Sequence, residues 1–238
     1  MLAPDRRTMT QAQLEAAQID VGLRQHMLTV YNYMASAVAL TGIVAYAAAS
    51  SQTLMQSIFG TPLAWVVMLA PLAFVLVLSF GIHRLSLFAS QALFWTFAAV
   101  MGLSLSTIFI VFTGQSIARV FFITAASFGA LSLYGYTTKR DLSGMASFLI
   151  MGLFGIIIAG LVNIFLKSSG LQFAISVIGV LVFAGLTAYD TQRIKSEYLE
   201  SDPAETAGKK AIMGALALYL DFINLMMLLL QLLGQRRD

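Results

Sequence analysis

The sequence predicts an all-α membrane protein built from seven transmembrane helices. Three observations lead there. Apolar residues make up 59% of the 238 and charged residues only 11%, against about 45–50% and about 25% in a soluble domain. Mean hydropathy is +0.84. The charged residues also fall in short clusters between charge-free stretches, and roughly 20 apolar residues suffice to cross about 30 Å of hydrocarbon. Composition removes several chemistries as well. There is no cysteine, so no disulfide framework, thiol nucleophile or Cys-ligated metal. The two histidines, His26 and His83, cannot make a multi-His metal centre. A net charge of +3, scattered along the chain, leaves no nucleic-acid footprint.

The spans follow in order. Residues 25–83 carry no Asp, Glu, Lys or Arg, but Ser50, Ser51, Gln52, Gln56, Ser57 and the turn at 60–62 split them into two helices, 28–49 and 62–82. Residues 85–118 and 120–138 give 87–112 and 117–137, with a short turn at 113–116. The stretches 142–166, 168–189 and 211–235 supply spans at 142–166, 171–191 and 211–234. A β-barrel would need ten-residue strands of alternating character. The run 63-LAWVVMLAPLAFVLVLSF-80 does not alternate and reads as helix, with Pro71 the expected kink. The chain therefore divides into an N-terminal cytoplasmic tail, 1–27, and one seven-helix domain, 28–235. In the tail, Leu14, Ala17 and Val21 recur at helical spacing, suiting a helix on the membrane surface, although a disordered tail fits equally. A cleaved signal peptide is disfavoured, because the segment before the first apolar run is long and contains Glu15 and Asp20.

Orientation is set by Lys and Arg in the loops. With the N-terminus inside, Arg6, Arg7, Arg24, Arg84, Lys139, Arg140, Arg193, Lys195, Lys209 and Lys210 lie on the cytoplasmic side, and Arg119, Lys167, Arg236 and Arg237 outside. The ten-to-four bias predicts the N-terminus in and the C-terminus out.

Between residues 21 and 189 the sole acid is Asp141, in a loop, so Asp190 and Asp221 are the carboxylates inside predicted spans. An Asp at a helix centre costs on the order of 3 kcal/mol and usually faces a cavity or a partner. Asp190 has Arg193 one helical turn on, and a simple ion pair is one reading of it. The other is a meeting with Asp221, since the two spans are consecutive and antiparallel. Their depths differ on these boundaries, and the mismatch closes if the sixth span continues to about residue 196. Two adjacent carboxyls share a proton and titrate as a unit, which makes a proton-sensitive latch and an oxygen-lined relay for a hard cation. Arg84, ending the second span, is either a third partner or a topological anchor.

Four stretches, 30-VYNYMASAVALTG-42, 137-TTKRDLS-143, 187-TAYDTQRIK-195 and 215-ALALYLDFINLMMLLLQLLG-234, resemble the transmembrane Bax-inhibitor-motif family in its bacterial branch. The resemblance spans nearly all of the membrane part. It implies a central last helix wrapped by the other six and a pH-sensitive calcium-leak channel gated by a di-aspartyl sensor. By residue match the sensor is Asp190 and Asp221, which would also be the calcium-binding residues, and the latching arginine is Arg84. It further implies no enzyme activity, no cofactor beyond Ca²⁺ as the transported ion, and a bacterial inner membrane. The expected partners are lipid, calcium and protons, with no nucleic acid; a monomer is compatible with this.

Rival functions lack their signatures. An intramembrane aspartyl protease would suit Tyr189–Asp190, but Leu218, Tyr219 and Leu220 stand where a Gly-x-Gly should precede Asp221, and no proline follows Pro203. A retinal-type protein needs a lysine mid-way along the last helix, and none lies between Lys210 and the C-terminus. A non-conducting scaffold that modulates partner proteins remains the third class.

Overall fold

A computed structural model describes the backbone of residues 11–237 and the side chains of residues 21–237. Helices occupy Gln11–Ala49 (α1), Gln52–Phe59 (α2), Leu63–Gly81 (α3), Leu87–Leu105 (α4), Ile108–Val111 (α5), Gly114–Thr137 (α6), Ser143–Leu166 (α7), Ser169–Ser196 (α8) and Ala204–Leu233 (α9). Among the described residues seven segments are long and apolar enough to span a membrane: α1 from Val21, α3, α4 with α5, α6, α7, α8 and α9. The expected count of seven stands.

Several helix starts follow from one local device. Ser51, Ser86, Thr113 and Ser168 each sit before a helix, and each side-chain oxygen accepts the backbone N–H three residues on. This satisfies a donor that the first helical turn leaves without a partner. The short connection expected at 113–116 is thus a hydroxyl-capped turn, whereas the one at 60–62 leads into α3 through Pro62 with no side-chain cap. At the α7–α8 turn the chain reverses through Lys167 in the left-handed region, φ 49°, with its N–H on the Asn163 carbonyl.

The boundaries differ from the sequence reading in three places. Helix α1 is already helical at Gln11, the first described residue, and runs unbroken past residue 27, because 11–20 is rich in Ala and Gln and holds no breaker. The surface contacts expected of Leu14 and Ala17 lie outside the described side chains, as do Arg6 and Arg7. The polar connection at 50–59 folds into α2, which buries Met55 and Ile58 at i,i+3 spacing. Helix α9 starts at Ala204 instead of 211; pairing of Lys209 with Glu205 at 2.8 Å and Lys210 with Asp202 at 2.6 Å keeps these charges at the helix entrance.

Helix α9 is the centre of the bundle. It packs against α8, α1, α6 and α4, and 56% of its most apolar window is buried. The spans α3 and α7 are peripheral, at 17% and 6%: α7 packs on α8, and α3 on α4 and α2. The central helix is therefore wrapped directly by four spans, with two more outside. The two peripheral spans are also the most hydrophobic, with hydropathies of 2.5 and 2.6. In a bilayer the apolar-all-round helix is the one that faces lipid, and the spans carrying polar groups turn inward.

Small residues set the closest approaches, as expected where lipid provides no hydrophobic drive between helices. Gly135 of α6 lies so near the Ala188 backbone of α8 that any Cβ would collide with main-chain atoms. Gly129, on the same helix, has nothing within 4 Å of a Cβ position. Gly135→Ala is therefore expected to lower stability by about 1–3 kcal/mol through overpacking, while Gly129→Ala is neutral or stabilising by up to about 1 kcal/mol. Thermal unfolding of both variants in detergent checks this contrast.

Candidate functional site

Asp190 and Asp221 come together. Asp190 is 9% exposed and Asp221 4%, and their carboxyl groups are neighbours in the wall of one cavity. Carboxylates only accept, so a hydrogen bond between two carboxyls needs a proton on one. The depth mismatch closes in the anticipated way: α8 continues to Ser196, and Lys195 reaches sideways so that its Nζ donates to the Tyr136 carbonyl at 2.8 Å. Asp221 Oδ2 is buried without a hydrogen-bond partner among the described residues. Both acids line a cavity of about 550 Å³ between α7 on one side and α8 and α9 on the other, with Tyr189, Arg193, Asn224 and Gln231 also in its wall.

The arginine beside the pair is Arg193. Its guanidinium is 3.1 Å from Asp190 Oδ1 and 3.7 Å from Glu197, and it lies over the Tyr189 ring at 5.9 Å. The i,i+3 ion pair read from sequence and the meeting of the two acids coexist. Arg84 is not brought to them. It is exposed in the turn after α3, with no carboxylate within 4 Å among the described residues. The turn nevertheless lies at the Arg193 end of the bundle, where Leu87 covers Gly208 of α9.

Three anchors position the acids. On α9, Tyr219 is fully buried and its hydroxyl is 2.7 Å from Thr41 Oγ1, which itself donates to the Ala98 carbonyl at 2.8 Å. This ties α9, α1 and α4 two residues before Asp221. On α8, Thr191 Oγ1 is 2.9 Å from Ser132 Oγ, which meets the Tyr31 hydroxyl at 2.5 Å. Gln192 accepts from the Leu142 N–H and donates to the Arg140 carbonyl, both at 2.8 Å. The stretches 137–143 and 187–195, singled out separately in the sequence, are thus one docked unit at the helix ends.

The other titrating groups fall elsewhere. Hydrogen bonds from Ser143 hold the Asp141 carboxyl below the usual carboxylate range, so it stays ionised near neutrality and cannot sense pH there. His83 is exposed just past α3. His26, assigned to the tail by sequence, is a buried residue of α1 packed against Tyr198, with ring centroids 5.5 Å apart and planes tilted by 40°; the helix already covers it. Sequence reasoning also passed over Asn224, although i,i+3 spacing puts it on the same face of α9 as Asp221.

Thr41→Val keeps the volume but removes the hydroxyl that links three helices. It is expected to cost about 1–3 kcal/mol by leaving the buried Tyr219 hydroxyl unpaired, measured as a lower unfolding temperature against the parent in the same detergent.

Comparison with known proteins gives the family of the chain. A family model described as "Inhibitor of apoptosis-promoting Bax1" matches residues 23–238. The protein RP147 of Rickettsia prowazekii is 52% identical over 219 residues, covering 92% of this chain and 93% of the relative. The inner membrane protein YbhL of Escherichia coli K12 is 49% identical over 219 residues, covering 91% and 94%. A membrane protein of Streptococcus pyogenes serotype M3, SpyM3_0260, is 34% identical over 221 residues, covering 92% and 96%. With seven helices long and apolar enough to span a membrane, α9 at their centre, and a family match over nearly its whole length, this chain belongs to the Bax inhibitor family of integral membrane proteins.

Proposed function

We propose that the protein is a pH-sensitive calcium-leak channel whose proton sensor is the pair Asp190 and Asp221. The observation that carries this reading is the buried Asp221 Oδ2, which has no donor of its own among the described residues, on a side chain that lines a cavity of about 550 Å³. An unsatisfied buried oxygen is costly unless a proton, water or cation serves it. Oxygen ligands are what a hard divalent cation prefers, and Asp190, Asp221 and Asn224 supply them in one wall. Calcium itself rests on the family resemblance. On this reading the protein conducts an ion and is not an enzyme.

Arg193 is the latch in this scheme. It neutralises Asp190 while that carboxylate is ionised and stands at the cavity wall. Protonating the pair removes the charge that holds the guanidinium, so flux rises as pH falls. The resemblance pointed to Arg84 for this role, but the 3.1 Å contact belongs to Arg193.

The test is calcium flux into liposomes holding the purified protein and an internal calcium dye, scanned over external pH. Asp221→Asn is expected to flatten the pH dependence. Arg193→Gln is expected to leak several-fold more than the parent near neutral pH and to converge with it in acid, while Arg84→Ala follows the parent. Parental flux that ignores pH, or an Asp221→Asn profile equal to the parent's, contradicts the sensor. An aspartyl protease would instead lose cleavage in either Asp variant and pass no calcium.

Orientation belongs to the same proposal. The ten-to-four distribution of Lys and Arg, with a relative named as an inner membrane protein, supports a bacterial inner membrane location with the N-terminus in the cytoplasm. A reporter enzyme fused after Asp238 should be active outside the cytoplasm. Activity inside would reverse the topology.

A further inference from the structure

The cavity that starts at Asp190 and Arg193 does not end at the acids. It extends along α9 past Asn224 to Gln231. Ten residues at 1.5 Å each put Gln231 about 15 Å beyond Asp221, at the end of the bundle that holds the α7–α8 turn. There the amides join into one chain. Gln231 Oε1 accepts from Gln172 Nε2 at 2.5 Å and from Ser176 Oγ at 2.9 Å. Gln172 Oε1 accepts from Asn163 Nδ2 at 3.2 Å, and Asn163 Oδ1 accepts from the Ser168 N–H at 3.0 Å.

This chain ties α9 to α8 and α8 to α7. Helix α7 packs on α8 and makes no comparable contact with α9, since the cavity lies between them. Gln231 is the member of the cluster that lines the cavity, at its far end, with Gln172 and Asn163 behind it, so the chain links α9 through α8 to α7, two helices that are otherwise held apart. All three amide oxygens are occupied by donors, which is a closed arrangement. Each hydrogen bond between helices in a membrane is worth only about 0.6–2 kcal/mol, so the chain can open without disturbing the core. Once free, the same oxygens are neutral dipolar ligands of the kind that replace part of a cation's water shell.

We propose that Gln172, Gln231 and Asn163 form the outer constriction of the ion path, a transient oxygen-ligand site for a hard divalent cation on its way to or from the carboxyl pair. This rests on the channel reading above. It assigns a second site, neutral where the first is acidic, and it separates conduction from sensing: the amides set how much passes and the acids set at what pH.

The experiment uses the same calcium-dye liposomes at a pH where the parent conducts fully. Gln231→Leu and Gln172→Leu are each expected to lower flux by about tenfold, as for loss of a hydrogen-bonding partner to a charged group, with the pH midpoint unmoved. Gln231→Glu keeps an oxygen at the same place and should conduct at least as well as the parent. Equal flux in the parent and both leucine variants overturns the constriction while leaving the channel standing. Higher flux in the leucine variants makes the cluster a plug only, and loss of flux in Gln231→Glu as well as Gln231→Leu makes it a structural tie; either overturns the ligand role. A parent that passes no calcium at any pH removes the channel reading, and this proposal falls with it.

Discussion

Two carboxyl groups buried side by side inside a helix bundle cannot both carry charge unless a cation stands with them, and much of this structure follows from meeting that constraint. Arg193 supplies one positive charge, the proton proposed above to be shared would remove one negative, and Asp221 lines a cavity. The surrounding elements hold the pair at the right distance. Gly135 lets α6 approach α8 closely, the Tyr219–Thr41–Ala98 chain fixes α9 against α1 and α4, and Gln192 docks the end of α8 on the α6–α7 loop. Removing one member of a buried pair leaves the other uncompensated, which is why such sites are expensive to alter.

The division between core and periphery adds the second part of the account. Helices α1, α4, α6 and α8 clasp α9, whereas α3 and α7 rest outside on one or two neighbours each. Both open faces of the carboxyl region border these outer helices: Ile150 and Leu153 of α7 on one side, Val75 and Ser79 of α3 on the other, with Arg193 in both walls. A helix held by few contacts moves at lower cost than one in the centre. A change of charge at Asp190 thus acts where the surrounding packing is thinnest.

Most of the fold was legible because a membrane reads out in charge and length. The charge-free stretches located all seven spans, and the loneliness of Asp190 and Asp221 among apolar residues marked the site. The ends were less legible. Helix α1 reaches back to Gln11 at least because helix propensity continues where hydropathy stops, and α9 begins at Ala204 because ion pairs carry Lys209 and Lys210 into the first turns. Arg84 drew attention through the family pattern, while Arg193 was visible as the i+3 neighbour of Asp190 and proved to be the residue in contact. The amide chain could not be read at all, since Asn163, Gln172 and Gln231 lie on three helices and meet only through tertiary packing.

The central claim is that a proton held between Asp190 and Asp221 governs conduction, and infrared difference spectroscopy across a pH titration tests it most directly. The carboxylic acid C=O absorption of a buried site should grow as pH falls, in step with the rise in calcium flux, and that growth should be lost in Asp221→Asn. A protein whose flux changes with pH while no such absorption titrates, or in which its growth persists unchanged in Asp221→Asn, would contradict the account.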